Sequence, residues 1–420
     1  MNASTNPHTD RHPMTRENIF SGLKVLDVAS FIAGPAATTI LSDFGATVVK
    51  VEPPTGDPQR TSSSRPPYPP SSRNYAWQLI GRNKRSIALN LKDPAGRELM
   101  KRLVAWADVL VTNYPPDVRK TLGLDYETLA PLNDRLVYAD ITGYGERGAE
   151  ANKPGFDITA YWARSGLMHV THDASGPPSI SAPGIGDHAT ASTLYGAIVT
   201  ALYRREKTGK GSKVGTSLIA EGAWAAAELI EGALNDAKFP AQNDRTHPRS
   251  PLGNPYRTAD QRWLMLAVQA KDFAGLARAI ARPELAQDPR FVDQQNRERN
   301  SEALVTELDA VFASQPLAHW KQVLEAGRVI FGAVQNLQDV ANDPQMHAND
   351  IFMPVRDSSV GARFTVSSPQ YVAGVDKEEP RRAPRLGEHT QEVLRELGLP
   401  AADIDQLVAS GTVVIEGASA

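Results

Sequence analysis

The chain has 420 residues, with 45 Lys+Arg against 48 Asp+Glu, a net charge of −3, and no cysteine. Near-neutral charge excludes a strongly basic nucleic-acid footprint. The missing thiols exclude disulfides, thiolate metal sites, Fe–S clusters and cysteine nucleophiles, and suit a cytoplasmic home. With 41% hydrophobic and 22% charged residues and no apolar run of bilayer length, a globular protein of about two to three domains is expected, without membrane contact.

Residues 1–18 are polar, with Pro7 and Pro13, and read as a flexible tail rather than a leader. Residues 23–28 form a β-rich run. Gly34-Pro35 puts a proline where a helix starts, residues 36–44 are helix-like, and Gly45 ends them. Residues 46–52 form a second β run, so about 30 residues make a βαβ unit and predict a parallel sheet. Residues 53–75 are a proline-rich loop. The rhythm resumes with strands at 86–91, 109–112 and 136–141 and a helix at 94–107. Residues 187–206 are the clearest helix, with Leu194, Ile198 and Leu202 on one stripe. An Ala-rich helix follows at 217–234. Residues 235–256 lose periodicity and read as a linker. A strand at 262–269 and mostly helical residues 272–327 suggest a separate small domain, and residues 388–397 a last helix.

Chemistry is sparse in the pattern. Glu52 at the end of the second strand could meet a ribose, but Ser30-Phe31-Ile32-Ala33-Gly34-Pro35 has one glycine where a dinucleotide turn needs three. There is no P-loop and no nucleophile elbow. The nine histidines fall in no ligand pattern, so no metal is expected. One carboxylate stands out. Asp187 follows Gly184-Ile185-Gly186 and opens the clearest helix. An aspartate there is a natural N-cap. The same N–H groups could instead keep it ionised, and an exposed carboxylate can attack an activated acyl group.

Several segments together resemble the class III CoA-transferase family, the formyl-CoA transferase and carnitine CoA-transferase group. They include residues 22–27, Ala33-Gly34-Pro35, residues 43–54 with Gly56-Asp57-Pro58, and residues 83–92. Residues 107–111, Gly143-Tyr144-Gly145, residues 207–211 and residues 386–394 follow in family order. The resemblance implies an α/β fold: a Rossmann-like large domain with a parallel sheet plus a smaller α/β domain, in an interlocked homodimer. The divisions it suggests are a large CoA-binding domain at 19–234, a linker at 235–256, a small domain at 257–335 and a C-terminal return at 336–420. It implies coenzyme A as acyl-CoA co-substrate, a carboxylate acceptor, and Asp187 as the nucleophile that forms an aspartyl-acyl anhydride and then an aspartyl-CoA thioester. The family's CoA site falls on Ile32 and Ala33, on Leu89, Asn90, Leu91 and Lys92, and on Asn113 and Tyr114. Succinyl-CoA is the donor suggested by family habit.

The sequence also departs from the family. The racemase branch has histidine where Phe156 precedes Asp157, and phenylalanine cannot shuttle a proton, so a 2-methylacyl-CoA racemase is the runner-up. A non-enzymatic CoA-binding protein is the alternative of another class. Formyl-CoA transferase has glutamine at the position of Ile32 and a tetraglycine loop where residues 250–256 lie, so formate or oxalate specificity is not expected. Many members carry Asn-Phe-Arg-Pro-Gly and a later arginine where this chain has Asn113-Tyr114-Pro115-Pro116-Asp117 and Thr121, so some CoA phosphate contacts are in question, with Arg119 as the candidate substitute. Asp157 reads equally as a cap or as an orienting group, and Arg164 as an ion-paired surface residue.

Overall fold

Each central strand is short, rich in valine, isoleucine and leucine, and buried on both faces, the pattern of a parallel sheet covered by helices. The strands are β1 Lys24–Val28, β2 Thr47–Glu52, β3 Arg85–Leu89, β4 Val109–Thr112, β5 Val137–Thr142 and β6 Ser212–Ser217. They pair in parallel in the order β3-β2-β1-β4-β5-β6, and the short strand Val413–Val414 adds antiparallel to β3. The computed structural model describes residues 18–174, 176–239, 244–357 and 361–417, so nearly all of the tail expected at 1–18 lies outside the described residues.

Successive side chains point to opposite faces of a strand. Val25, Val48 and Val109 therefore pack under helix α1 (Ala33–Asp43) and the helix Ile185–Thr208, with Ala37, Leu41, Leu194 and Ile198. Their neighbours Leu26, Val49 and Leu110 pack with Met100 and Leu103 of the helix Pro94–Trp106 and with Leu394 and Ile404 near the C-terminus. This is a three-layer α/β unit whose described residues run over 18–167, 181–228 and 349–417. Strand order reverses between β1 and β4, and in such sheets the crevice at the carboxyl ends beside the reversal is where ligands bind.

The smaller unit comprises residues 168–180 and 229–348. It holds the antiparallel strands β7 Pro255–Arg257, β8 Trp263–Leu266 and β9 Phe331–Val334 against helices including Ser301–Phe312 and Leu317–Ala326. Leu252 is 3% exposed, Tyr256 is fully buried, and the Tyr256 hydroxyl donates to Pro251 O at 2.6 Å. The segment expected as linker thus enters a core from residue 252 onward. Prolines and lost periodicity mark tight turns here as readily as a free connection.

Two other elements differ from expectation. The helix expected at 217–234 is broken into Leu218–Ala225 and Ala227–Leu234. The edge strand β6, Ser-Lys-Val-Gly-Thr-Ser, carried no apolar run because an edge strand is only partly covered. Among the described residues, no helix is long and apolar enough to cross a membrane.

Candidate active site

Gly184 caps the helix Ile185–Thr208 in the left-handed region, φ 81°. A Cβ at Gly186 would lie 2.2 Å from the Tyr161 ring and 2.4 Å from Asp157 Oδ1, so only glycine lets these segments close. Asp157, buried, opens the π-helical turn Asp157–Ala163. Its Oδ1 accepts from Gly186 N at 3.0 Å, and the N–H groups of Gly184 and Ile185 also favour its charged form. The helix start is therefore capped by a side chain from another element.

That arrangement overturns the capping reading of Asp187. Asp187 lies in the first turn, no side-chain capping bond is made there, and its carboxylate bonds to no described residue. Nor does the helix terminus hold it low, as the sequence suggested. Burial, and then the adjacent Asp157 charge, push Asp187 up to about 7 from an ordinary 3.8. Burial likewise raises Asp157 against the pull of the N–H groups of Gly186, Gly184 and Ile185. A half-buried, unpartnered carboxylate of raised basicity is a better nucleophile than a solvated one.

A second helix start adjoins the first. A Cβ at Gly184 would lie 3.2 Å from Ile32 Cδ1, and Ile32 is the residue before α1. No side chain caps α1, and the N–H groups of Ala33 and Gly34 bond to no described residue. Two free donors at a helix N-terminus are suited to a negative oxygen.

The loop before α1 is gripped by buried charge. Asp27 accepts from Ala29 N at 3.2 Å, from Thr38 Oγ1 at 2.9 Å and from Lys84 Nζ at 2.8 Å. Lys84 Nζ also donates to Pro35 O at 2.6 Å. Lys50 donates to Ala29 O and pairs with Asp57 at 2.9 Å, while Asp57 Oδ1 accepts from Phe31 N at 3.2 Å. Four buried side chains, two of each sign, thus hold Ala29, Phe31 and Pro35 by their backbones. Asp27 is drawn below its ordinary range by the two ammonium groups despite burial, and burial lowers Lys84 to about 8. The sequence reading missed this quartet. Its signal was a charge set among apolar residues on each of two strands buried on both faces, Asp27 in β1 and Lys50 in β2.

The residues expected to touch CoA gather at the carboxyl ends of β1, β3 and β4. Ile32 and Ala33 follow β1. Asn113 and Tyr114 follow β4, and Asn113 bridges the strand-order reversal by accepting from Ser30 N at 2.8 Å and donating to Ser30 O at 2.7 Å. Leu89 and Leu91 are buried in the sheet core, Leu89 is paired with Val413, and Leu91 O accepts from Arg97 Nη1 at 3.2 Å, so of this run half-buried Asn90 and exposed Lys92 are the open side chains.

Other candidates are taken up internally. Arg119 is buried, 2.5 Å from Glu146 and 3.4 Å from Asp140, so the phosphate contact expected of it is closed. Arg164 pairs with Glu150 at 3.0 Å. Glu52 receives Arg60 Nε and Nη2 at 2.6 and 2.7 Å, and so is not left for a ribose.

Known proteins share the fold and the sequence. The profile of CoA-transferase family III matches residues 20–390. The cinnamoyl-CoA:phenyllactate CoA-transferase of Clostridium sporogenes is 30% identical over 95% of this chain and 98% of its own. The human succinyl-CoA:glutarate CoA-transferase is 32% identical over 93% of this chain and 89% of its own. A CAIB/BAIF family protein from Brucella suis superposes with a TM-score of 0.80 and 29% identity over 91% of this chain and all of that one. A family profile spanning most of the chain, on an α/β fold of the same kind, makes this protein an enzyme of CoA-transferase family III, one that handles CoA thioesters and carboxylates.

Proposed function

We propose that this enzyme moves CoA from an acyl-CoA to a free carboxylic acid through covalent intermediates on Asp187. An Asp187 oxygen attacks the thioester carbon, the C–S bond breaks, and CoA leaves as thiolate, giving an aspartyl-acyl anhydride. The thiolate then attacks the Asp187 carbonyl carbon, the donor acid departs, and an aspartyl-CoA thioester remains. The acceptor carboxylate attacks that thioester and forms a second anhydride, and the returning thiolate takes the new acyl group and frees Asp187. Electrons and protons balance without any outside reactant.

The observation that carries this reading is the unpartnered Asp187 carboxylate, freed from capping because Asp157 does that work. The N–H groups of Ala33 and Gly34 are the donors best fitted to a developing oxyanion. Lys92, Asn90, Asn113 and Tyr114, with Ile32, Ala33 and the strand end at Leu89 and Leu91, are assigned to the CoA route at the carboxyl ends of the sheet. Succinyl-CoA, named for the human relative, is the first donor to try. The racemase alternative is disfavoured because Phe156 offers no proton carrier. A cysteine-free chain fits a cytoplasmic enzyme. A homodimer, with its interlocking, is carried over from the family.

Incubation with an acyl-CoA followed by hydroxylamine should leave a hydroxamate on Asp187, seen by peptide mass spectrometry. Asp187→Asn should retain the fold and lose exchange of CoA between acids by at least about three orders of magnitude. A hydroxamate on another residue, or exchange that survives the substitution, would refute the assignment.

A further inference from the structure

Two aromatic rings flank the Gly184–Gly186 turn without belonging to the core. Phe31 is 41% exposed and Phe156 is 56% exposed, and their rings meet edge to face with centroids 5.6 Å apart. Each stands one residue before a group that touches the turn. Phe31 precedes Ile32, whose Cδ1 borders Gly184, and Phe156 precedes Asp157, which holds Gly186 N. Phe31 is kept there at some cost. Its φ of 61° lies in the left-handed region that a bulky side chain avoids, and the Asp57 carboxylate bonds its N–H. Such strain persists where the surrounding structure fixes it and clusters at working sites.

The neighbouring charges are already committed. Arg164 is paired with Glu150, and Arg82 with Asp43 at 2.7 Å. His188, next to Asp187, has its pKa lowered by burial and by Arg82, so it is neutral at pH 7. A second carboxylate on the acceptor finds no open counter-ion among these groups, whereas a hydrocarbon finds two ring faces.

We infer that the Phe31–Phe156 pair is the acceptor-specificity surface, and that the acid receiving CoA carries an aryl or branched-alkyl group that packs on these rings. This deepens the reading of Asp187 as nucleophile and rests on it. An apolar group that leaves water for such a surface gains discrimination on the order of tenfold to a hundredfold in kcat/KM.

The test uses the full-length protein with acetyl-CoA as donor and acceptors of graded side chain: 3-phenylpropanoate, 4-methylpentanoate, propanoate and glutarate. The wild type should favour 3-phenylpropanoate and 4-methylpentanoate over propanoate and glutarate by at least about tenfold in kcat/KM. Phe156→Ala should erase most of that preference, lowering kcat/KM for the aryl and branched acids far more than for propanoate, and should keep the fold, because the ring is more than half exposed and truncation removes little core. Phe31→Ala should act in the same direction, and Phe156→Leu should restore the branched acid better than the aryl one. Equal loss for every acceptor would make the pair merely structural, and a wild type that prefers glutarate would also overturn the inference. Hydroxylamine trapping with acetyl-CoA and, separately, with succinyl-CoA is run beside each variant. A hydroxamate on Asp187 together with either adverse result sinks the specificity surface alone, whereas its absence with both donors sinks the nucleophile reading and this inference with it.

Discussion

At Asp187 the proposed nucleophile is a carboxylate whose burial costs stability. Its pKa of about 7 sets the expected pH profile, since only the ionised form attacks a thioester. The acid limb of kcat/KM should rise with unit slope and level near pH 7. In Asp157→Asn the limb should move to lower pH, because the like charge is gone. The move should be modest, because burial is the larger cause. Stability should run the other way. The unfolded carboxyl releases its proton near 3.8 and the folded one near 7, so between these values the folded state binds more protons. Folding therefore loses stability as pH rises through this window, and the penalty is complete above it. Asp187→Asn should raise Tm at pH 8 and leave it nearly unchanged at pH 4, which thermal melts at the two pH values would check. A lower Tm at pH 8 would mean that the carboxylate is tied into a stabilising contact. The sequence identified this residue but left its role open, because capping by Asp157 joins residues 29 positions apart.

Among the elements, the start of α1 depends on the buried quartet of Asp27, Lys50, Asp57 and Lys84. Removing one partner of a buried ion pair leaves an uncompensated charge and costs about 3–5 kcal/mol. Lys84→Met should therefore lower the denaturant midpoint of the large unit clearly. It should also weaken acyl-CoA binding, because Pro35 O and the Asp27 carboxylate lose their donor. An unchanged midpoint would show the quartet to be dispensable. The helix Ile185–Thr208 has a sharper requirement. Gly186→Ala forces a Cβ into the Tyr161 ring and the Asp157 carboxylate, so the cap must open. Activity should fall by at least about a hundredfold while Asp187 itself is untouched, a loss typical of about 1 Å misplacement at a reacting group. Steady-state rates beside a circular dichroism spectrum would separate this from unfolding. β1 to β5 and both long helices of the large unit were legible because apolar periodicity recorded their burial. β6 and the break at Ala226 were not, because an edge strand and a bent Ala-rich helix carry no such record.

For the whole molecule, the proposed homodimer predicts that light scattering after gel filtration gives twice the chain mass. A monomeric mass at micromolar concentration would remove the homodimer from the proposal. The amino-acid sequence by itself determined the parallel α/β core, the family, and the aspartate at the head of a long helix. Those features rest on local periodicity and on short contiguous motifs. Only the tertiary structure decided that Asp187 is free and Asp157 caps, that Arg119 is spent on Glu146, and that Phe31 meets Phe156. Each of these is a contact between segments distant along the chain, and hydrogen-bond satisfaction and burial at such a point are set by the fold as a whole.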